Sequence, residues 1–185
     1  MRELGGLERK FHRPEAGLVL GEDARIEGYA SVFGVADQGG DVVEPGAYAV
    51  SLAALAAAGR RVKFLWQHDP AQPIGVWEEV AEDARGLYVR GRLLPEVAKG
   101  REAAALLAAG AVDGLSIGYR TRRAAKGEGG GRLLRELELW EVSLVTFPML
   151  PEARVAAKRD EGLAVLAAAF AEARREIAAG GWSSP

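Results

Sequence analysis

A chain of 185 residues, 49% hydrophobic and 27% charged, is long enough for one domain with a packed core, and its net charge of −2 gives no global basic field for nucleic acid or an anionic membrane. Cysteine is absent, which excludes disulfides, thiolate metal sites and a cysteine nucleophile together and leaves serine, threonine or a carboxylate for any covalent chemistry. No run of about 18 apolar residues exists and "MRELGGLERKFHRPE" lacks the apolar core of a signal peptide, so the chain reads as soluble and intracellular.

In chain order, "ARIEGYASVF" (Ala24 to Phe33) predicts a strand, closed by the glycine- and aspartate-rich loop "GVADQGGDVVEPG". "AYAVSLAALAAAGR" predicts a short helix with Gly59 as its C-terminal stop. "RVKFLWQH" returns to strand, ended by Pro70 and Pro73. "IGVWEEV" and "GLYVRGRLL" flank the polar turn "AEDAR" as a hairpin. Pro95 opens a helix, "PEVAKGREAAALLAAG", stopped at Gly110. In "DGLSIGYRTRR" the apolar Leu115, Ile117 and Tyr119 alternate with Ser116, Gly118 and Arg120, which directs Ser116 away from the apolar face. The glycine run "KGEGGG" reads as an unpacked hairpin tip leading into the last long strand, "RLLRELELWEVSLVTFP". There Leu137 and Leu139 share their parity with Glu141 and Ser143, which sets polar groups in an apolar row. A C-terminal amphipathic helix carries the stripe Leu163, Leu166, Phe170 and Ile177 before the tail "WSSP". The expected class is α+β: a mainly antiparallel β-barrel or bent sheet with two to three flanking helices.

With no cysteine and two histidines, a serine hydrolase has few ways to assemble a nucleophile, a base and a group that orients the base. His12 lies in the charged segment "ERKFHRPE" and reads as solvated. His68 ends an apolar strand, either as a base or as a histidine satisfied by a backbone carbonyl. Ser116 stands between glycines at minus two and plus two, which leaves bare backbone for a substrate chain or marks a bulge. Ser143 competes as nucleophile; Ser31 and Ser51 compete less, Ser51 reading as a surface position in a helix. Glu141 in "LWEVSLV" is a carboxylate among apolar neighbours, costly unless paired or turned outward on an edge strand. Asp69 is poorly placed to orient its own neighbour's ring, because adjacent strand residues point to opposite faces. A metal would have to combine His68 with Asp37, Asp41 or Glu44, a poor zinc site, so no metal and no cofactor are expected. "GEGGG" lacks the spacing of a phosphate loop, and "RLLPEVAKGR" and "YRTRR" read as solvated faces.

The strings "EGYASVFGVADQGGDVVEPGAY", "VKFLWQHDPAQPIGVWEE", "GLYVRGRLL", "GAVDGLSIGYR" and "LWEVSLVTFPMLPEARV", in that order, resemble the prohead maturation proteases of tailed phages, whose fold is similar to that of the herpesvirus capsid maturation protease. The resemblance runs from about Ile26 to Val155. It implies a serine endopeptidase that cleaves coat and scaffold precursor segments, and itself, inside the immature capsid in the host cytoplasm. On the matching motifs it implies His68 as general base, Ser116 as nucleophile and Glu141 as the acidic partner. The herpesvirus relatives use a second histidine in that third place, where this chain departs from them.

The implied organisation is an N-terminal arm over 1–23, a protease domain over 24–157 and a C-terminal helix and tail over 158–185. The implied partners are the major capsid protein and scaffold segment as peptide substrates and a homodimer or oligomer of the chain itself, with no nucleic acid and no membrane. An extended peptide would suit strand addition to a sheet edge. The competing readings are a non-catalytic capsid-assembly module that keeps the fold and a small esterase-like hydrolase.

Overall fold

The computed structural model describes residues 8–12, 19–20, 24–127 and 130–147. These form one sheet of nine strands and two helices: β1 (Glu8–His12), β2 (Val19–Leu20), β3 (Arg25–Val32), β4 (Val42–Val43), α1 (Ala49–Ala57), β5 (Lys63–Trp66), β6 (Asp69–Glu82), β7 (Gly86–Leu93), α2 (Ala98–Ala108), β8 (Gly114–Lys126) and β9 (Arg132–Val145). The strand order is β1-β8-β9-β5-β6-β7-β3-β2, with β4 beside β9. Since β3 also approaches β1 and β8, the sheet curls back on itself. The class is α+β as expected, but the sheet is mixed: β4 and β5 both run parallel to β9. The expected third helix lies outside the described residues, and the segment expected as an N-terminal arm contributes β1 and β2 to the sheet.

Both helices stop where glycine was expected to stop them. Gly59 (φ +61°) and Gly110 (φ +70°) adopt the left-handed conformation that ends a helix without a Cβ clash. Pro95 sits in the turn before α2 rather than inside it, since the Val97 amide bonds the Leu94 carbonyl and the helix begins at Ala98.

The core fills the concave side of the sheet with Ile26, Phe64, Ile74, Trp77, Leu87, Leu115 and Ile117, all nearly inaccessible to solvent. Phe64 and Trp77 stack with ring centroids 4.0 Å apart, an arrangement that adds about 0.5–1.5 kcal/mol beyond area burial. Tyr48, at the start of α1, is completely buried, and that burial raises its phenol pKa so far that the ring stays neutral.

Three expectations fail for identifiable reasons. Pro70 and Pro73 do not end the strand in a loop: β6 runs through both of them. Trp66 pairs with Asp69 and Leu65 with Pro73, so Pro70, Ala71 and Gln72 bulge from the ladder, where missing donors cost nothing. The glycine run is not open throughout either: Gly130 has free space around it, but Gly131 does not. Gly131 lies so close to Gly40 that a Cβ would meet the Gly40 oxygen at 1.8 Å, and the adjacent Arg132 is clamped by Asp41, with Nη2 to Oδ2 at 2.6 Å. Finally, the polar residues in the apolar row of β9 are an artefact of constant alternation. Tyr119 pairs with Leu139 and Gly118 with Glu141, so Trp140 is an extra, bulged residue. Beyond that bulge the core-facing residues become Val142 and Leu144, and Glu141 and Ser143 turn to the opposite face.

Candidate active site

The parity switch in β9 creates the site. On neighbouring strands Ser116 lies opposite Ser143, and Gly118 opposite Glu141, so all four share the face directed away from the apolar core. Over this face reaches the tip of the β5–β6 hairpin, the two residues Gln67 and His68. Both take left-handed backbone conformations (φ +52° and +62°), which cost non-glycine residues on the order of 1–3 kcal/mol each. The end of β9 holds them there. The Gln67 amide bonds the Leu144 carbonyl at 3.0 Å, the His68 amide bonds Ser143 Oγ at 3.2 Å, and Gln67 Nε2 bonds Thr146 Oγ1 at 2.6 Å.

The strained tip places the imidazole between a hydroxyl and a carboxylate. His68 Nε2 lies 2.6 Å from Ser116 Oγ, and Nδ1 bonds Glu141 Oε1. The other carboxylate oxygen, Oε2, accepts the Ser143 hydroxyl proton at 2.5 Å. Ser116 and Ser143 are fully buried, and Glu141 and His68 nearly so. A carboxylate so deep is tolerable because each oxygen has a donor, and one of those donors carries positive charge whenever the imidazole is protonated. In such a chain the serine proton can pass to Nε2 while the carboxylate stabilises the resulting imidazolium.

Gly118 has a part that its sequence position did not suggest. A Cβ there would lie 2.2 Å from Glu141 Oε1 and 2.8 Å from its Cδ, so the bare backbone makes room for the carboxylate rather than for a substrate chain. Gly118→Ala is therefore expected to push Glu141 off His68 and, as overpacking in a filled site, to destabilise the fold by about 1–3 kcal/mol. Urea unfolding of the two proteins checks this, and equal stabilities would mean that the carboxylate has room to yield.

The other sequence candidates fall elsewhere. Ser143 holds Glu141 and the His68 amide, so its hydroxyl is a strut of the site and does not face the ring nitrogen. Ser31 is buried in β3. Ser51 is not a surface residue: it is buried, and its Oγ accepts the Leu139 amide at 2.9 Å, beside the Trp140 bulge. Asp69 caps its own turn, accepting the Ala71 amide. His12 lies in β1, where its backbone pairs with Leu115. Asp37 accepts the Gly39 and Asp41 amides, Asp41 pairs with Arg132, and Glu44 pairs with Arg135 at 3.0 Å; none of these acids joins His68. Among the described residues no three histidine or acidic side chains gather as a metal site, and no helix is long and apolar enough to cross a membrane.

Sequence reasoning did not find the roles of Ser143, Gly118 and Gln67. Ser143 was singled out only as a rival nucleophile, and the one trace of its role as a strut was its spacing of two from Glu141, which puts both on one strand face.

Comparison with known proteins gives three findings. The family of caudovirus prohead serine proteases matches residues 12–166, a span that starts inside β1. The prohead protease of Enterobacteria phage HK97 is 37% identical over 145 residues, which is 75% of this chain and 62% of that protein; the chain thus spans less than two thirds of that relative. Among solved structures, the bacteriophage T4 capsid assembly protease, gp21, superimposes with a TM-score of 0.63 over 77% of this chain and 98% of that one, at 17% identity, a likeness of fold.

Proposed function

Because the chain belongs to the caudovirus prohead serine protease family, we propose that it is a serine endopeptidase that trims the coat and scaffold precursors, and itself, inside the immature capsid in the host cytoplasm. The observation that carries this reading is the single imidazole bonded through one nitrogen to Ser116 and through the other to Glu141. Ser116 Oγ attacks the peptide carbonyl as His68 Nε2 takes its proton; the imidazolium then returns that proton to the leaving amine. Glu141 keeps the other proton on Nδ1, so that Nε2 is free to accept, and stabilises the cation. Ser143 fixes both the second carboxylate oxygen and the backbone of the base, so that His68 and Glu141 are held as one unit. All of these groups come from one chain.

Co-expression with the coat and scaffold precursors tests the function. Intact mass spectrometry is expected to show shortened partner chains and a trimmed form of this chain. Capsids that assemble from polypeptides of unchanged mass would instead identify a non-catalytic assembly module that keeps a protease's strands, and turnover of small esters without precursor cleavage would identify a different hydrolase.

A further inference from the structure

Helix α1 is unusual for a surface helix. Its nine residues, AVSLAALAA, include no charged side chain, and its one polar residue, Ser51, is turned inward. A helix apolar all round belongs in an interior or against a partner. Yet Val50 is 61% exposed, and Ala53, Ala54, Ala56 and Ala57 are exposed with it. Between α1 and β9 lies an open groove of about 520 Å³, floored by Val50, Ala54, Leu55 and the bulged, 42% exposed Trp140. Together they make a contiguous apolar patch of the kind that marks an interaction site.

The charges around the groove say what would fill it. Its carboxylates are already used, Glu138 by Arg122 and Glu136 by Arg123. Arg60, Arg61 and Lys63, which line the end nearest the helix C-terminus, have no ion pair among the described residues. Arg60 and Arg61 also border a smaller recess on the other flank of α1, against Trp77 and Val80. An occupant must therefore supply apolar side chains for the floor and carboxylates for three cations. A second copy laid α1 against α1 would supply the first without the second, and would face its own cations with like charge.

The groove contains none of His68, Ser116 and Glu141. It touches the site only through Trp140, which precedes Glu141, and Lys63, which lies opposite Glu141 in the β5–β9 register. We propose that it is a docking site for an acidic, apolar-rich segment of the capsid precursor, engaged apart from the bond to be cut. The proposal rests on the endopeptidase reading above. Docking of this kind raises the local concentration of the scissile segment, so it acts on precursors long enough to reach both places and not on short peptides. Its ionic part weakens as salt screens the exposed cations.

Short fluorescent peptides tiling the coat and scaffold precursors, titrated against the Ser116→Ala chain, test it. Acidic, apolar-rich tiles are expected to bind, more weakly at higher salt. Binding is expected to fall about tenfold or more in Arg60→Glu/Arg61→Glu and in Ala54→Trp, which fills the groove from an exposed helix position and leaves the core alone. In the active chain the same changes are expected to raise KM for whole precursor by a similar factor and to leave kcat/KM unchanged for a peptide spanning only the cleavage site. Equal binding by the variants, binding of basic tiles only, or a dimer that Ala54→Trp dissociates would overturn the proposal. If the variants lose tile binding but the parent chain cuts nothing, docking stands and the endopeptidase reading fails. If the parent cuts and the variants cut whole precursor equally well, the reverse holds.

Discussion

Replacing Ser116 by alanine is expected to reduce peptide-bond cleavage by about 10⁶-fold, the size seen when a serine hydrolase loses its nucleophile. The expectation is large because, among the described residues, no other hydroxyl bonds His68 Nε2. Ser143 is the nearest other hydroxyl on that face, but its proton goes to Glu141 and its oxygen accepts the His68 amide, so it cannot turn to Nε2 without releasing the strained tip. The fold should survive. Alanine removes one buried oxygen from a position packed between strands, and the unpaired Nε2 it leaves costs on the order of 1–3 kcal/mol. Intact masses of co-expressed precursors read the result directly: uncut chains in the variant beside trimmed chains in the parent assign the nucleophile. If both are cut alike, another serine or another enzyme is responsible.

Much of this was legible in the residues, and the failures share a cause. Gly59 and Gly110 ended helices because their backbone conformation is a local property, visible in one residue. The hairpin of β6 and β7 followed from alternation around a polar turn for the same reason. What local reading could not supply was register. Constant alternation put Glu141 and Ser143 in the row of Leu137 and Leu139, and only the pairing with β8 reveals that Trp140 is an extra residue. The bulge then explains at once why a carboxylate can sit among tryptophan, valine and leucine, and why it faces Ser116. Pro70 and Pro73 misled similarly, since a proline stops a strand only where its amide would be needed: Pro70 lies in the bulge, and Pro73, though opposite Leu65, sits between two register shifts. His68 and Ser116 were visible as chemistry; their meeting depends on β5 and β8 both lying beside β9, 48 residues apart in sequence, which no local pattern encodes.

Glu141→Gln carries the second large expectation, a fall in cleavage of about 10⁴-fold, the scale reached when a triad's amide leaves the base in the wrong tautomer. The two bonds of the carboxylate make the amide's choice a poor one either way. With its NH₂ toward His68, it can only donate to Nδ1, which moves the ring proton to Nε2 and removes the acceptor that Ser116 needs. With its oxygen toward His68, the NH₂ faces Ser143 Oγ, which must then accept from it as well as from the His68 amide, leaving the Ser143 proton without its acceptor. The first arrangement blocks the base; the second keeps the tautomer but loses the negative charge that stabilises imidazolium. Adding Ser143→Ala is expected to restore nothing in either arrangement, because it leaves the His68 backbone amide and one end of the new side-chain amide without a partner. Nitrogen NMR of the His68 ring distinguishes the two arrangements without turnover. Near-normal cleavage by a folded Glu141→Gln protein would remove Glu141 from the machinery and leave its bond to His68 a purely structural one.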